Sequence, residues 1–217
     1  MHVHYISEQN SILNHFLAQI RDTEVQTDSM RFRKNIERIG EIMAYELSKV
    51  LAYKPKEVKT PLGFKSTYVL EDNVVLCSIL RAGLALHTGF MNFFDDAENG
   101  FVSAFRHHPN NDDNFEILVE YQAAPSFNNK TLIVIDPMLA TGQSLVAVLQ
   151  KLLVQETPKE LHIAVVIAAP EGVAYLQEHL PENCHLWIAT LDEKLNEKKY
   201  IVPGLGDAGD LAYGSKL

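Results

Sequence analysis

Apolar positions early in the chain recur at three- and four-residue steps. Phe32, Ile36, Ile39, Met43, Leu47 and Val50 form one stripe over residues 29–51, with Arg31, Lys34, Arg38 and Glu41 mostly off it. That period predicts an amphipathic helix whose stripe meets the core or a second subunit. A shorter helix is expected over residues 11–20. Residues 54–65, with Pro55, Pro61 and Gly63, read as turn-rich. Further on, the pattern changes to short, nearly unbroken apolar runs at Val74–Leu80, Thr131–Ile135, 162–169 and 185–190. Such runs are expected for strands buried on both faces of a mainly parallel sheet. Helices are expected between them at 84–94, 144–154 and 172–180. Segments 102–106 and 115–121 read as the arms of an antiparallel hairpin, and their polar connection, 107–114, as a lid. Together these elements predict a single α/β domain over residues 1–217: a mainly parallel sheet flanked by helices, with an N-terminal helical region at about 8–52 and a hairpin arm at about 101–122.

Composition narrows the function classes. The 217 residues are 47% hydrophobic and 22% charged, ordinary for a chain that buries a large core. No apolar run approaches the roughly 20 residues of a membrane helix, and residues 1–10 lack a basic-then-apolar leader. A cytoplasmic location with no membrane partner is therefore expected. Cys77 and Cys184 lie in apolar runs, so buried thiols are expected rather than a disulfide or a zinc site. The formal net charge of −9 argues against nucleic-acid binding, which needs a basic face. It also means that a polyphosphate ligand must be met locally, by placed arginines, backbone N–H groups and a divalent cation.

The chemistry concentrates in residues 131–144: a buried strand, an acid at its carboxyl end, a small-residue loop, then a helix start. Ligands of open α/β sheets bind beyond the carboxyl ends of strands. A tight loop that opens a helix directs N–H groups outward at the positive end of the helix dipole, which suits a phosphate. Thr141 and Ser144 can add hydroxyl donors, and Gly142 allows close backbone approach. Asp136 would repel phosphate but can accept from ribose hydroxyls, so strand, acid and loop together fit a ribose 5-phosphate. The Walker pattern and the spaced-glycine dinucleotide fingerprint are both missing. Asp-Pro and Thr-Gly pairs also form plain turns, which is the alternative for this segment alone.

Residues 134–144 resemble the phosphoribosyl-pyrophosphate (PRPP) motif of the type I phosphoribosyltransferases. The form Asp136-Pro137-Met138-Leu139-Ala140-Thr141-Gly142 is similar to that of the uracil phosphoribosyltransferases. Residues 79–84 resemble the family's pyrophosphate loop, and residues 200–210, with Gly204, Gly206 and Gly209, its uracil-binding segment. Residues 168–172 and Leu195-Asn196 match between them, so the likeness runs from about residue 31 to 214. The resemblance implies a type I phosphoribosyltransferase-like fold with a C-terminal base-binding hood at about 191–214. It implies joining of uracil to PRPP to give UMP and pyrophosphate. Arg81, Arg106 and Asp136 are the implied catalytic residues. PRPP contacts fall on Arg81, Arg106, Asp136, Pro137, Met138, Leu139, Ala140, Thr141, Gly142, Gln143, Ser144 and Asp207. Uracil contacts fall on Ile201, Gly206, Asp207 and Ala208. Mg2+ is expected to arrive on PRPP, with no dedicated protein metal ligands. A homodimer or larger homo-oligomer is implied, and allosteric GTP is left open.

The base segment also makes physical sense. Uracil presents an acceptor at O4 and a donor at N3, and cytosine reverses both. Backbone groups matched to uracil leave cytosine unpaired, at about 1–3 kcal/mol per group. The sequence departs from the family at Gln143 for a second glycine, at Cys77-Ser78 for Val-Pro, and around Phe105-Arg106-His107-His108-Pro109 and Tyr121–Pro125 in the arm. His107 and His108 are expected to face solvent, and His2 and His4 to lie on a frayed terminus. Two rivals stay open at this point: transfer to a different nucleobase, and a non-catalytic PRPP-sensing regulator of the same fold.

Overall fold

The computed structural model describes residues 1–107 and 116–215, with side chains outside 104–119. In chain order the elements begin with β1 (His2–Tyr5), a short 3-10 turn, α1 (Ile12–Arg21) and α2 (Ser29–Ser48). Then come β2 (Tyr53–Thr60), β3 (Gly63–Leu70), β4 (Val74–Leu80), α3 (Leu84–Met91), β5 (Glu98–His107) and β6 (Glu116–Ala123). The second half holds β7 (Thr131–Ile135), β8 (Met138–Leu139), α4 (Gln143–Leu153), β9 (Glu160–Ala168), α5 (Pro170–His179) and β10 (His185–Leu191). The chain closes with β11 (Lys194–Leu195), β12 (Ile201–Val202) and α6 (Ala208–Tyr213).

Eight strands form the main sheet in the order β1-β10-β9-β7-β4-β5-β6, with β8 attached to β9. Every pairing from β1 to β5 is parallel, and only β6 runs antiparallel, against β5. β4, β7 and β9 are buried on both faces, which is why they read as unbroken apolar runs rather than alternating ones. One core lies between the sheet and α1, α2, α3 and α6, with Phe32, Ile39, Met43, Phe90 and Ile133 at its centre. The other lies under α4 and α5, around Val134, Leu149, Val165 and Leu176. The stripe from Phe32 to Leu47 thus turns into the core, while Val50 lies beyond the end of α2 and is exposed. Cys77 and Cys184 are buried and free, and burial pushes their thiols up to about 12 and about 11, so neither is poised to react.

The N-terminus is not frayed. His2–Tyr5 adds a parallel edge strand beside β10, in the register His2↔His185↔His162 across three strands. The imidazoles of His2 and His162 each lie 4.8 Å from that of His185, and His4 stacks on Trp187 at 3.8 Å. Burial holds His162 down at about 4, so its ring packs neutral near pH 7. Nor is 54–65 a string of turns. It belongs to β2 and β3, an antiparallel ribbon off the main sheet. All of β2 is exposed, so no burial pattern marked it as strand, and its Pro55 is tolerable because the ribbon has free edges. α3 ends at Met91, short of the expected 94.

α2 and α3 cross at two glycines. A Cβ on Gly89 would enter the van der Waals radius of Glu37 O and stand 2.8 Å from Glu41 N, all backbone of α2. Gly89→Ala gains helix propensity but must spread the two helices, and overpacking of this kind costs about 1–3 kcal/mol. A lower urea midpoint with an unchanged slope is the expected result.

Candidate active site

The sheet order reverses between β4 and β7. β4 continues through α3 to β5 on one side, and β7 continues through α4 to β9 on the other. A crevice therefore opens beyond the carboxyl ends of this pair, where ligands of open sheets bind. Arg81 follows β4 and Asp136 follows β7, with Ser78 in register with Ile135. The two loops touch: a Cβ on Gly83 would lie 2.8 Å from Ile135 O and 2.7 Å from Ile79 O. Only glycine lets the 81–83 loop lie this close to the end of β7.

Arg81 also meets the C-terminal segment. Its Nη2 donates to Asp210 Oδ1 at 2.9 Å and to the Gly214 carbonyl at 3.1 Å. Its Nε is buried with no hydrogen-bond partner among the described residues, so a donor of the guanidinium is left to be met. An unmet buried donor is costly, and a phosphate oxygen would satisfy it. The peptide bond from Leu80 to Arg81 is cis.

The loop 136–144 shows why each residue type is present. Pro137 O accepts from Val166 and Ile167 N–H, both at 3.0 Å, and Met138–Leu139 forms β8 against β9. The loop is therefore partly strand, where sequence alone predicted irregular backbone. Leu139 turns its side chain into the core under α4 and α5, while Met138 and Ala140 are half-buried against the core on the other face of the sheet. Gly142 caps α4 in the left-handed region, φ +80°. Its missing Cβ faces α5, 2.7 Å from Leu176 Cδ1 and 3.2 Å from Gly172 O, rather than the loop's open side. Gln143 is exposed and helical, so the position accepts a side chain; Thr141 and Ser144 are half-buried at the helix start.

Asp136 is half-buried as a residue, but its carboxyl lies deep. Burial pushes it up to about 7, against a weaker lowering by the Met138 N–H, which donates to Oδ1 at 3.3 Å. A carboxylate this reluctant to ionise has few protein donors, which leaves its oxygens free for hydroxyls of a ligand.

In the hood, Ile201 and Ala208 are buried while Gly206 and Asp207 are exposed. Asp207 caps α6 by accepting from the Asp210 N–H at 3.0 Å. Glu171 accepts from the Leu195 N–H at 2.9 Å, and Asn196 Oδ1 from the Tyr200 N–H at 2.9 Å, so these matched positions brace the hood's base. Asp210, the partner of Arg81, carried no signal of its own in the sequence beyond standing in a glycine-rich run. The predicted lid and His108 lie outside the described residues. Arg106 lies on β5 with its side chain likewise outside them, as is that of His107. The groove of about 650 Å³ at the opposite, amino-terminal edge carries Asp72, Asp95, Asp96 and Glu98 beside Lys54 and Lys130, with Glu98 paired to Lys130 and Asp72 to Lys159, and it holds none of the expected site residues.

An arginine loop, an acid-led loop at a helix start and a hood on one sheet edge make up the type I phosphoribosyltransferase fold. The architecture aligns with a purine phosphoribosyltransferase from Pyrococcus horikoshii at a TM-score of 0.50 and 14% identity, over 73% of this chain and 84% of that one. Residues 6–215 match the family model described as uracil phosphoribosyltransferase, and the chain belongs to that family. A uracil phosphoribosyltransferase of Porphyromonas gingivalis is 49% identical over 217 residues, all of both chains. One from Thermococcus gammatolerans is 40% identical over 98% of this chain and 94% of its own. The AQ2163 protein of Aquifex aeolicus superposes with a TM-score of 0.87 at 30% identity, over 99% of both chains.

The buried carboxyl makes a prediction. The unfolded chain gives up the Asp136 proton near 3.8 and the native chain near 7, so the native state holds more protons between those values. Stability due to this group therefore falls as pH rises across that window and is level above it. Asp136→Asn is expected to resist urea better than the parent at pH 8, by on the order of 2–4 kcal/mol. The gap should close toward pH 4, while KM for PRPP rises. A variant less stable than the parent at pH 8 would contradict the burial argument.

Proposed function

We propose that this chain transfers the 5-phosphoribosyl group of PRPP to N1 of uracil, with Arg81 and Asp136 as its central groups. The observation that carries the reading is the Arg81 contact with Asp210, which joins the pyrophosphate loop to the hood at the edge where Asp136 stands. In the transfer, the bond from the anomeric carbon to pyrophosphate breaks, the bond to uracil N1 forms, and the N1 proton is released. Positive charge grows on the ribose ring and negative charge on the leaving group. Arg81, with its open Nε, is suited to the leaving charge. Asp136 is suited to the ribose 2′- and 3′-hydroxyls, and the N–H groups at the start of α4, with Thr141 and Ser144, to the 5′-phosphate. Arg106 is the second candidate for pyrophosphate. Ile201, Gly206, Asp207 and Ala208 line the hood segment that would receive the base.

Among the described residues no group of three or more His, Cys, Asp or Glu side chains is set to hold a metal. We read Mg2+ as a passenger on PRPP oxygens, where it would neutralise leaving-group charge. Among the described residues no helix is long and apolar enough to cross a membrane. Residues 1–217 are read as one catalytic unit.

The ribbon of β2 and β3 supports a homodimer or larger assembly. A free two-stranded ribbon is marginal in water, yet this one holds Leu62 fully exposed and Phe64 and Tyr68 each 71% exposed. A second copy covering it would remove that apolar surface from water. Light scattering is expected to give at least twice the chain mass, falling for the paired change Phe64→Asp and Tyr68→Asp.

Competition among uracil, cytosine, hypoxanthine and orotate, each with PRPP and Mg2+, tests the activity. UMP should form and the other products should not; no UMP would overturn the proposal. In the same assay Arg81→Ala should lower kcat at least roughly 100-fold with the fold intact, and added GTP tests nucleotide regulation.

A further inference from the structure

The N-terminal helix reaches the hood. Arg21, the last residue of α1, donates from Nη1 to Asp192 Oδ2 and to the Gly204 carbonyl, both at 2.9 Å, and from Nη2 to Asp192 Oδ1. Gly204 N–H in turn donates to the same Asp192 Oδ2 at 2.8 Å. Both backbone groups of Gly204 are thus held by one ion pair, in a closed three-residue ring. The Asp192 side chain is only 3% exposed and follows directly from β10, where its N–H donates to Ala168 O at 2.8 Å. Arg21 is fixed from behind by Leu13, Leu17 and Ile20, which α1 buries in the core, and by Gln26, whose amide donates to the Ile20 and Arg21 carbonyls at 3.1 Å each.

Gly204 is the pivot of the hood. It lies between Ile201 and Gly206–Ala208, in the left-handed region at φ +65°, after a cis Val202–Pro203 bond. A Cβ there would drive into Ile201 O, so the turn is as tight as the chain allows. How this turn is held sets where the chain enters 205–208, a stretch that the Asp207 cap and the Arg81–Asp210 pair hold from its far end. Where specificity rests on backbone N–H and C=O groups, position is the only variable left to tune, and a shift of about 1 Å in a reacting group can cost about 100-fold.

We propose that Arg21 and Asp192 are positioning residues for the nucleobase: through Gly204 they set where the 205–208 backbone meets uracil, without touching substrate. The inference rests on reading 201–208 as the base-binding segment. A guanidinium is required because its planar fork serves the carboxylate and the carbonyl at once, whereas an ammonium is a single point.

The test compares the parent with Arg21→Gln, Arg21→Lys and Asp192→Asn. Each is assayed for KM of uracil, KM of PRPP, kcat and cytosine use, with amide hydrogen exchange followed over residues 201–208. Arg21→Gln and Asp192→Asn should raise KM for uracil roughly tenfold or more, leave KM for PRPP within about twofold, and speed exchange at 204–208. Arg21→Lys, which keeps the ion pair, should recover part of the loss. If Arg21→Gln does not fold, Arg21→Lys carries the comparison, and it must then show the uracil shift alone. The proposal is overturned by folded variants with parental KM for uracil, or by KM for uracil and KM for PRPP rising together while kcat falls. If the parent itself forms no UMP, the activity reading fails separately, and unchanged exchange at 204–208 would then dispose of the clamp as well.

Discussion

The parallel pairing of β4 with β7 is the constraint on which the rest depends. Ser78 stands opposite Ile135, so both chains leave the sheet at the same level and in the same direction. Because their crossovers depart to opposite sides, the carboxyl ends of this pair are where an open sheet takes its ligand. The 81–83 loop settles onto the end of β7 only because Gly83 has no side chain. That contact brings a guanidinium and a carboxyl, far apart in sequence, to one crevice without any direct bond between them.

Charge in this crevice is arranged by partnering as much as by position. The chain carries a net charge of −9, yet the site must take a substrate rich in phosphate. Arg81 is paired at Nη2 with Asp210 and left open at Nε. Its cation is therefore held in place before an anion arrives, and one donor is still unmet. Asp136 follows the opposite logic: its burial makes the charged form costly, up to about 7, which favours a ligand that donates hydrogen bonds to it. The two groups differ in sign and also in what they lack.

Side chains of other elements hold the hood. Glu171 ties its base to α5, Arg81 ties α6 to the 81–83 loop, Arg33 ties α6 to α2 by donating to the Ala212 carbonyl at 2.6 Å, and the Arg21–Asp192 pair ties the Gly204 turn to α1. A six-residue helix and a two-residue strand pair have little stability of their own. Their placement has to come from such side-chain bonds to larger elements, and this explains why a segment so late in the chain sits accurately over loops formed much earlier.

Elements that bury a face were legible from the residues alone: α2 from its stripe, and β4, β7, β9 and β10 from their apolar runs, with the acid-led loop marked by its position at the end of β7. Each is legible because burial imposes composition locally. The sequence also identified the family, whose matches at 79–84, 134–144 and 200–210 are continuous segments. Elements with no buried face escaped it: the exposed ribbon of β2 and β3, and β1, whose histidines alternate like a strand but look like a polar terminus. Only the tertiary structure decided that Arg81 meets Asp210 and that Arg21 reaches Asp192 and Gly204. Those partners lie more than a hundred residues apart, and their pairing follows from strand order and helix docking, which no local pattern of residues encodes.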